Sequence, residues 1–171
     1  MYKKILLLSI LLIILGCSTK EKDNISQLFT KDDIYHISLL NTQKAQLIAS
    51  LETKALLTAT YLNPVFTKKN CKNFCVDVSG GEYFFVGVYI NGSKINHFDD
   101  KGYFLTLNGM KPIEIKELDK DDPLRYEMPM VDNWSTYYKV KYPTVNSKKL
   151  KLVFESDRFG KDVLTFRKPK K

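Results

Sequence analysis

The chain has 171 residues, of which 27 are basic and 19 acidic, so its formal net charge is +8 at pH 7. This length fits one domain of ordinary size. The basic residues are spread through the sequence and form no nucleic-acid-binding motif, which argues against a nucleic-acid partner and favours contact with anionic headgroups or cell-wall polymers.

The first sixteen residues have the parts of an export signal. Met1–Lys4 is short and basic, Ile5–Leu15 is apolar apart from one serine, and the small residue Gly16 precedes Cys17. The apolar run is too short to cross a bilayer, which takes about 20 residues. The stretch Ile14-Leu15-Gly16-Cys17 resembles the lipobox of bacterial lipoproteins. This resemblance implies a diacylglycerol on the Cys17 thiol, cleavage before Cys17 and acylation of the new amino end.

Two other interpretations of this start stay open, an ordinary cleaved signal in which Cys17 is incidental and an uncleaved signal anchor. The lipobox interpretation predicts a signal peptide over residues 1–16, a lipidated tether over residues 17–30 and a folded domain over residues 31–171. Removal of the signal leaves 25 basic and 19 acidic residues, a net charge of +6. The lipid on Cys17 would hold the protein on a membrane, at the periplasmic face of the outer or inner membrane or at the cell surface.

The two remaining cysteines are Cys71 and Cys75, with three residues between them. Export would place them in an oxidising compartment, and the residues around them tolerate turns, so we predict a local disulfide. A redox-active or metal-binding pair is the alternative. Against it, the C-x-x-C spacing is absent, and His36 and His97 have no ligand spacing to the pair. The sequence therefore predicts no metal site and no cofactor.

The domain begins with a predicted helix over residues 32–52. Thr30 stands before two acidic residues, as at a helix start, and apolar residues then recur every three or four positions. Residues 47–51 also fit a strand. Residues 55–62 are rich in Thr and aliphatic residues and end at Asn-Pro, which predicts a strand, and residues 74–78 predict a short one.

Residues 83–90 carry the strongest strand pattern in the chain. Both faces are apolar or aromatic, which is typical of a central strand. Asn91-Gly92 follows, the dipeptide that a type I′ hairpin turn prefers, and it predicts that residues 93–98 pair back.

A second Asn-Gly, at residues 108–109, predicts a hairpin between residues 103–107 and 113–116. Alternating apolar residues predict three later strands, over residues 138–142, 150–154 and 164–166. The total of about nine short strands with frequent turns favours an antiparallel sandwich or barrel over parallel βαβ units.

Residues 118–134 are irregular, with several acidic residues and two prolines. Tyr126, Trp134 and Tyr137 lie in or beside this stretch and are candidates for an interaction patch, because aromatic residues next to loops often bind partners. The interpretation that we favour from the sequence is that Trp134 and Tyr138 pack into the core. The acidic run at residues 119–122 lacks the glycine and closing glutamate of a calcium loop, so we predict a solvated loop.

Together with the lipobox, four strand-rich stretches resemble those of small uncharacterised lipoproteins of Campylobacter-type bacteria. The stretches are Tyr61–Pro64, Phe85–Tyr89, Leu152–Glu155 and Val163–Phe166. Such lipoproteins are similar to immunoglobulin-like sandwiches. The resemblance therefore implies a mainly β fold, an immunoglobulin-like antiparallel β-sandwich with one N-terminal helix. It brings no activity and no functional residues.

The sequence predicts no catalytic residues. It has no G-x-S-x-G elbow, and His36 and His97 are expected to be surface or half-buried polar residues and not catalytic bases. We therefore predict a non-catalytic binding or interaction module whose partner is another envelope protein. A structural envelope lipoprotein is the alternative, and a small-ligand carrier or a hydrolase also stays open.

Overall fold

The computed structural model describes residues 34–67, 70–71, 74–92 and 102–169, which form two antiparallel sheets and two short helices. The helices are α1 (Ile34–Leu40) and α2 (Pro123–Glu127). The strands are β1 (Thr42–Ala49), β2 (Glu52–Tyr61), β3 (Glu82–Ile90), β4 (Tyr103–Leu107), β5 (Glu114–Glu117), β6 (Thr136–Tyr142), β7 (Lys149–Ser156) and β8 (Gly160–Arg167). The predicted mainly β, antiparallel class is confirmed.

Five strands form one sheet in the order β1-β2-β3-β6-β5, and the other three form a second sheet in the order β4-β7-β8. β3 lies at the centre of the larger sheet, with β2 antiparallel on one side and β6 antiparallel on the other. All of its residues are buried except Tyr89, which is half-buried. The prediction of a central strand from its two apolar faces is confirmed.

The two sheets pack face to face over a core built from alternate residues of each strand. β3 and β7 supply its centre, with Phe84, Val86, Val88, Leu150, Leu152 and Phe154. All six are fully buried. Each such side chain stabilises the fold by about 1.5–3 kcal/mol relative to an exposed position, so this layer holds the two sheets together.

Side chains join the two sheets at the edge where β1 lies beside β8. Gln43 Oε1 accepts a hydrogen bond from the Thr165 N–H at 3.0 Å, and Gln43 Nε2 donates to the Thr165 carbonyl. The Gln46 backbone N–H donates to Asp162 Oδ2 at 3.0 Å. These contacts occupy backbone groups that an edge strand would otherwise offer to another chain.

A buried polar group lies at the start of β3. Glu82 is 2% exposed, and its carboxylate accepts hydrogen bonds from the Tyr61 hydroxyl at 2.6 Å and the Val145 N–H at 3.1 Å. The Lys168 ammonium forms an ion pair with the same carboxylate. The buried charge is therefore both paired and hydrogen-bonded. Burial, together with the bond to Glu82, raises the pKa of the Tyr61 hydroxyl.

The predicted helix over residues 32–52 is wrong beyond its first turns. α1 ends at Leu40, and β1 follows at once and forms a hairpin with β2. Ala45 and Leu47 of β1 are buried in the core, a spacing of two that belongs to a strand. Eight residues of β1 pair with β2, and this long-range pairing overrides the local helical spacing.

Two other predicted arrangements are also wrong. Residues 74–78 form no strand. The Asn108-Gly109 turn is present, with φ of 48° and 80°, and Leu107 and Met110 exchange two backbone hydrogen bonds across it. Its arms nevertheless do not pair, because β4 belongs to the three-stranded sheet and β5 to the five-stranded sheet. The chain crosses between the sheets after this turn.

The predicted strand over residues 93–98 lies outside the described residues. The two sides of β3 are paired with β2 and β6. Six predicted strands are confirmed with ends shifted by a few residues: 55–62, 103–107, 113–116, 138–142, 150–154 and 164–166. The last two form the expected hairpin, β7 with β8.

Candidate interaction surface

A second hydrophobic cluster covers the outer face of the five-stranded sheet. β3 and β6 present Tyr83, Phe85 and Tyr137 on this face. α1 and two long connections pack over them. The first connection runs from β2 to β3, and the second runs from β5 to β6. The second connection, residues 118–135, is named here the cover segment. These elements contribute Ile34, Ile37, Leu62, Val65, Phe66, Phe74, Val76, Val78, Leu118, Leu124 and Met128. Residues 74–78 therefore bury their alternate apolar side chains here without joining a sheet.

The cover segment contains α2, whose start is fixed by its sequence. The Asp122 carboxylate accepts a hydrogen bond from the Leu124 N–H at 2.9 Å, and Pro123 occupies the first helical position. Both are favoured at a helix N-terminus. The short helix buries Leu124 in the second cluster and leaves Tyr126 on the surface. The acidic run at residues 119–122 thus acts in part as a helix cap.

Tyr137 attaches the cover segment to β6. Its ring stacks on Phe85 with centroids 5.2 Å apart, and the Arg125 guanidinium lies over the Tyr137 ring at 4.7 Å. Its hydroxyl accepts from the Asp132 N–H at 2.7 Å and donates to the Met130 carbonyl at 3.5 Å. Burial raises the pKa of this hydroxyl further above neutral. A tyrosine hydroxyl, whose ordinary pKa is about 10, is protonated and able to donate at neutral pH. One buried side chain therefore joins α2 to the end of the cover segment.

The residues around Asp132 are held by short-range hydrogen bonds. Asp132 Oδ1 accepts from the Trp134 N–H at 2.9 Å and the Ser135 N–H at 2.7 Å, and Oδ2 accepts from the Ser135 hydroxyl at 3.2 Å. Met130 has a φ of 61°, which is rare for a residue with a β-carbon. Such a conformation persists where neighbouring contacts fix it. The cover segment is therefore held in one defined shape.

Four apolar side chains on this segment are exposed, and we name them the exposed patch. The exposed fractions are 74% for Tyr126, 44% for Met130, 37% for Val131 and 76% for Trp134. Single exposed apolar residues are ordinary, but four within nine residues form a candidate contact surface. Between residues 119 and 132 the segment also carries five acidic and two basic side chains. The segment that carries the patch therefore has a net negative charge.

The structure separates the three aromatic residues predicted as a patch. Tyr126 and Trp134 lie on the surface, whereas Tyr137 is 2% exposed and supports the segment from within the second cluster. The favoured prediction that Trp134 packs into the core is wrong, whereas Tyr138 does pack there. Sequence reasoning missed Met130 and Val131. The sequence feature that could have identified these two residues is an apolar pair in a stretch otherwise rich in charged residues and proline.

The sulfur atoms of Cys71 and Cys75 are bonded in the structure, with Cα atoms 4.9 Å apart. Cys71 packs against the second cluster, and Cys75 is exposed. The disulfide therefore lies in the connection that covers the sheet beside the cover segment. Its formation in the exported protein stays a prediction.

Cys17 and His97 lie outside the described residues, so the predictions of a signal peptide, a tether and a lipid stay predictions. His36 is half-buried on α1.

Within residues 34–169, as far as they are described, no group of three His, Cys, Asp or Glu side chains is arranged to hold a metal ion. The same part of the chain contains no helix long and apolar enough to span a membrane.

Comparison with protein families, curated proteins and solved structures finds no match to this chain. The resemblance to small bacterial lipoproteins therefore stays a prediction. The mainly β assignment is based on the two sheets themselves.

Proposed function

We propose that the protein is a lipid-anchored envelope protein whose domain is a non-catalytic binding module for another envelope protein. The observation that carries this proposal is the exposed patch on the cover segment. The lipobox resemblance at Cys17 supports the anchor. It also supports a location at the periplasmic face of the outer or inner membrane, or at the cell surface.

The chemistry of the patch favours a protein partner. Trp and Tyr are enriched among the few interface residues whose truncation to Ala weakens binding by about 2 kcal/mol or more. The hydrogen bonds of Tyr137 and Asp132 hold the segment in shape before binding, which lowers the entropy lost on association. The net negative charge of the cover segment fits a partner whose apolar pocket has a basic rim.

We further propose that the fold is an immunoglobulin-like sandwich. The support is that all strand pairs in the two sheets are antiparallel, and that the sheets have five and three strands with alternating inner faces. Immunoglobulin-like domains have about seven to nine strands in two such sheets. This class of fold is common among surface domains but indicates no activity by itself.

The binding proposal is tested by crosslinking in intact cells. A photoreactive amino acid replaces Tyr126 in one version and Ile48 in another, since Ile48 is also exposed, at 56%, but lies on β1. We expect a discrete protein adduct at position 126 and none at position 48. Trp134→Ala should reduce the adduct at least about tenfold, the effect of 1.4 kcal/mol, whereas Ile48→Ala should leave it unchanged.

Two outcomes would contradict the binding proposal. One is the same set of adducts from both positions, which would indicate random collision. The other is an adduct at position 126 that survives Trp134→Ala unchanged. Either result would favour the alternative of a structural envelope lipoprotein without a specific partner at this surface.

A further inference from the structure

The three-stranded sheet has one face in the core and the other on the surface. Along β7 and β8 the buried residues alternate with outward-facing ones. The outward side of the sheet carries four basic residues, Lys149, Lys151, Lys161 and Arg167, and within these three strands Glu155 is its one acidic residue. We name this surface the basic face.

In the part of the chain that the structure describes, Glu155 lies directly opposite Lys161, and the other three basic residues leave the basic face with a net positive charge. The register of β7 and β8 places Lys149 directly opposite Arg167, and like charges in opposite positions destabilise a sheet. The ion pairs among the described residues involve Lys54 with Glu52 and Lys168 with Glu82. None of the four basic side chains takes part in them. An anion bound at this face would relieve the repulsion.

Apolar side chains lie beside these charges. Thr106, Val153 and Val163 occupy one row across the three strands, and Phe104 lies in the next row opposite Glu155. Val163 is 45% exposed and Phe104 is 46% exposed. Basic side chains next to a shallow apolar surface suit the headgroup layer of a membrane, where cations meet phosphates and apolar atoms enter the interface.

We propose that the basic face docks onto anionic lipid headgroups, so that the domain lies on the membrane with the exposed patch directed away from it. The cover segment packs on the outer face of the other sheet, which is the opposite side of the sandwich. Its net negative charge is repelled by the lipids that attract the basic face. This orientation depends on the membrane location in the proposed function, and it leaves the patch accessible to a partner.

The length of chain before the domain allows this orientation. Residues 17–33 can span at most roughly 60 Å when fully extended. A compact domain of this size has a radius of gyration of about 14 Å, so its diameter is smaller than that span. An anchor at Cys17 therefore permits either face of the sandwich to meet the bilayer, and the charge distribution selects the basic face.

The test measures vesicle binding without the lipid anchor. Residues 32–171 form one compact unit, so the chain from Ser18 onward is suitable. It is sedimented with vesicles of phosphatidylcholine alone and with vesicles containing about one-third phosphatidylglycerol, at about 0.1 M salt. One variant carries Lys149→Gln, Lys151→Gln and Arg167→Gln. The matched control carries Lys44→Gln, Lys116→Gln and Lys120→Gln, three exposed residues elsewhere with the same loss of charge.

We expect the parent chain to bind the anionic vesicles and not the neutral ones, and to be released by salt. Since each cation at such a surface contributes roughly fivefold, the basic-face variant should bind about 100-fold more weakly, and the control should stay within about fivefold of the parent. Phe104→Ser should weaken binding to vesicles while leaving binding to soluble polyphosphate unchanged.

Three results would overturn the inference. The parent chain could fail to prefer anionic vesicles, the two triple variants could lose binding equally, or the chain could bind polyphosphate but not vesicles. Because the assay contains no lipidated protein, these failures are distinct from a failure of the anchor at Cys17, which is detected by lipid labelling. Far-ultraviolet circular dichroism of each variant shows that its fold is retained.

Discussion

The ring of Tyr137 lies across Gly87, the residue directly opposite it on β3. A β-carbon at Gly87 would lie 2.6 Å from Tyr137 Cε1, a distance that real β-carbons do not show. The absence of a side chain at Gly87 therefore lets the ring reach Phe85 and Arg125. The placement of the cover segment depends on this pair.

Gly87→Ala should destabilise the fold by about 1–3 kcal/mol, because the added methyl group displaces the Tyr137 ring. The displacement should also break the bond from the Asp132 N–H, so this amide should exchange with solvent faster. Denaturant unfolding and amide hydrogen exchange measure the two effects. Tyr137→Phe is the comparison, since it keeps the ring and should cost about 1 kcal/mol while also exposing the Asp132 amide. An unchanged unfolding free energy in Gly87→Ala would contradict the close packing of the Tyr137 ring against Gly87.

Tyr61 and Tyr142 should respond in opposite ways to the same substitution. The Tyr61 hydroxyl donates to buried Glu82, so Tyr61→Phe should destabilise the fold by about 1–3 kcal/mol. The Tyr142 hydroxyl is buried with no hydrogen-bond partner in the described part of the chain. Tyr142→Phe should therefore be neutral or stabilising by up to about 1 kcal/mol. If urea unfolding shows that Tyr61→Phe and Tyr142→Phe lower the unfolding free energy equally, this assignment of the two hydroxyls is wrong.

The same two tyrosines predict alkaline sensitivity. Burial raises the pKa of both hydroxyls above the value of about 10 found in an unfolded chain. Above that pH the unfolded chain loses protons that the folded chain keeps, so the contribution of these two tyrosines to the unfolding free energy should be constant below about pH 10 and fall above it. The fall should be smaller in Tyr142→Phe than in the parent chain. If the unfolding free energy falls equally with pH in the parent chain and in Tyr142→Phe, the predicted contribution of Tyr142 is contradicted.

The edge between β1 and β8 offers a test with two neighbouring glutamines. Gln43→Ala removes both side-chain bonds to the Thr165 backbone and should cost about 1–3 kcal/mol. Gln46 contacts Asp162 only through its backbone N–H, and its side chain is exposed, so Gln46→Ala should change stability by less than about 0.5 kcal/mol. Thermal and urea unfolding compare the two. Similar effects at both positions would contradict a side-chain bridge between the sheets.

Two kinds of feature could be predicted from the sequence. They are a strand whose two faces are both apolar and a tight turn marked by an Asn-Gly dipeptide. β3 was recognised because both of its faces are apolar, and the Asn108-Gly109 turn because its positive φ angles suit these residues. Whether the two arms of a turn pair with each other depends on the rest of the sheet. The separation of β4 from β5 was therefore not visible locally.

The β1–β2 hairpin was missed for a related reason. Its turn is formed by Ser50 and Leu51, with φ of 53° and 64°, and contains none of the glycine or asparagine that marks such turns. The apolar residues around it also happened to recur at helical spacing. The aromatic content of the sequence indicated the cover segment as the site of the exposed patch. Only the fold shows that Tyr137 faces inward while Trp134 faces solvent.

The disulfide between Cys71 and Cys75 should be present in the exported protein. Mass mapping of unreduced peptides should find the two residues joined, and two free thiols would refute this. Because the closed loop is short, the chain-entropy estimate of its stabilisation is only about 2 kcal/mol. Cys71→Ser with Cys75→Ser should therefore remain folded at room temperature, as judged by circular dichroism.

Lipid attachment at Cys17 is the most direct test of the proposed lipid-anchored binding module. Cells producing the protein are grown with labelled palmitate, and the purified full chain is examined for label beside Cys17→Ala and Cys75→Ala. We predict label in the parent chain and in Cys75→Ala, and none in Cys17→Ala. Label that persists in Cys17→Ala, or a parent chain without label, would contradict the anchor.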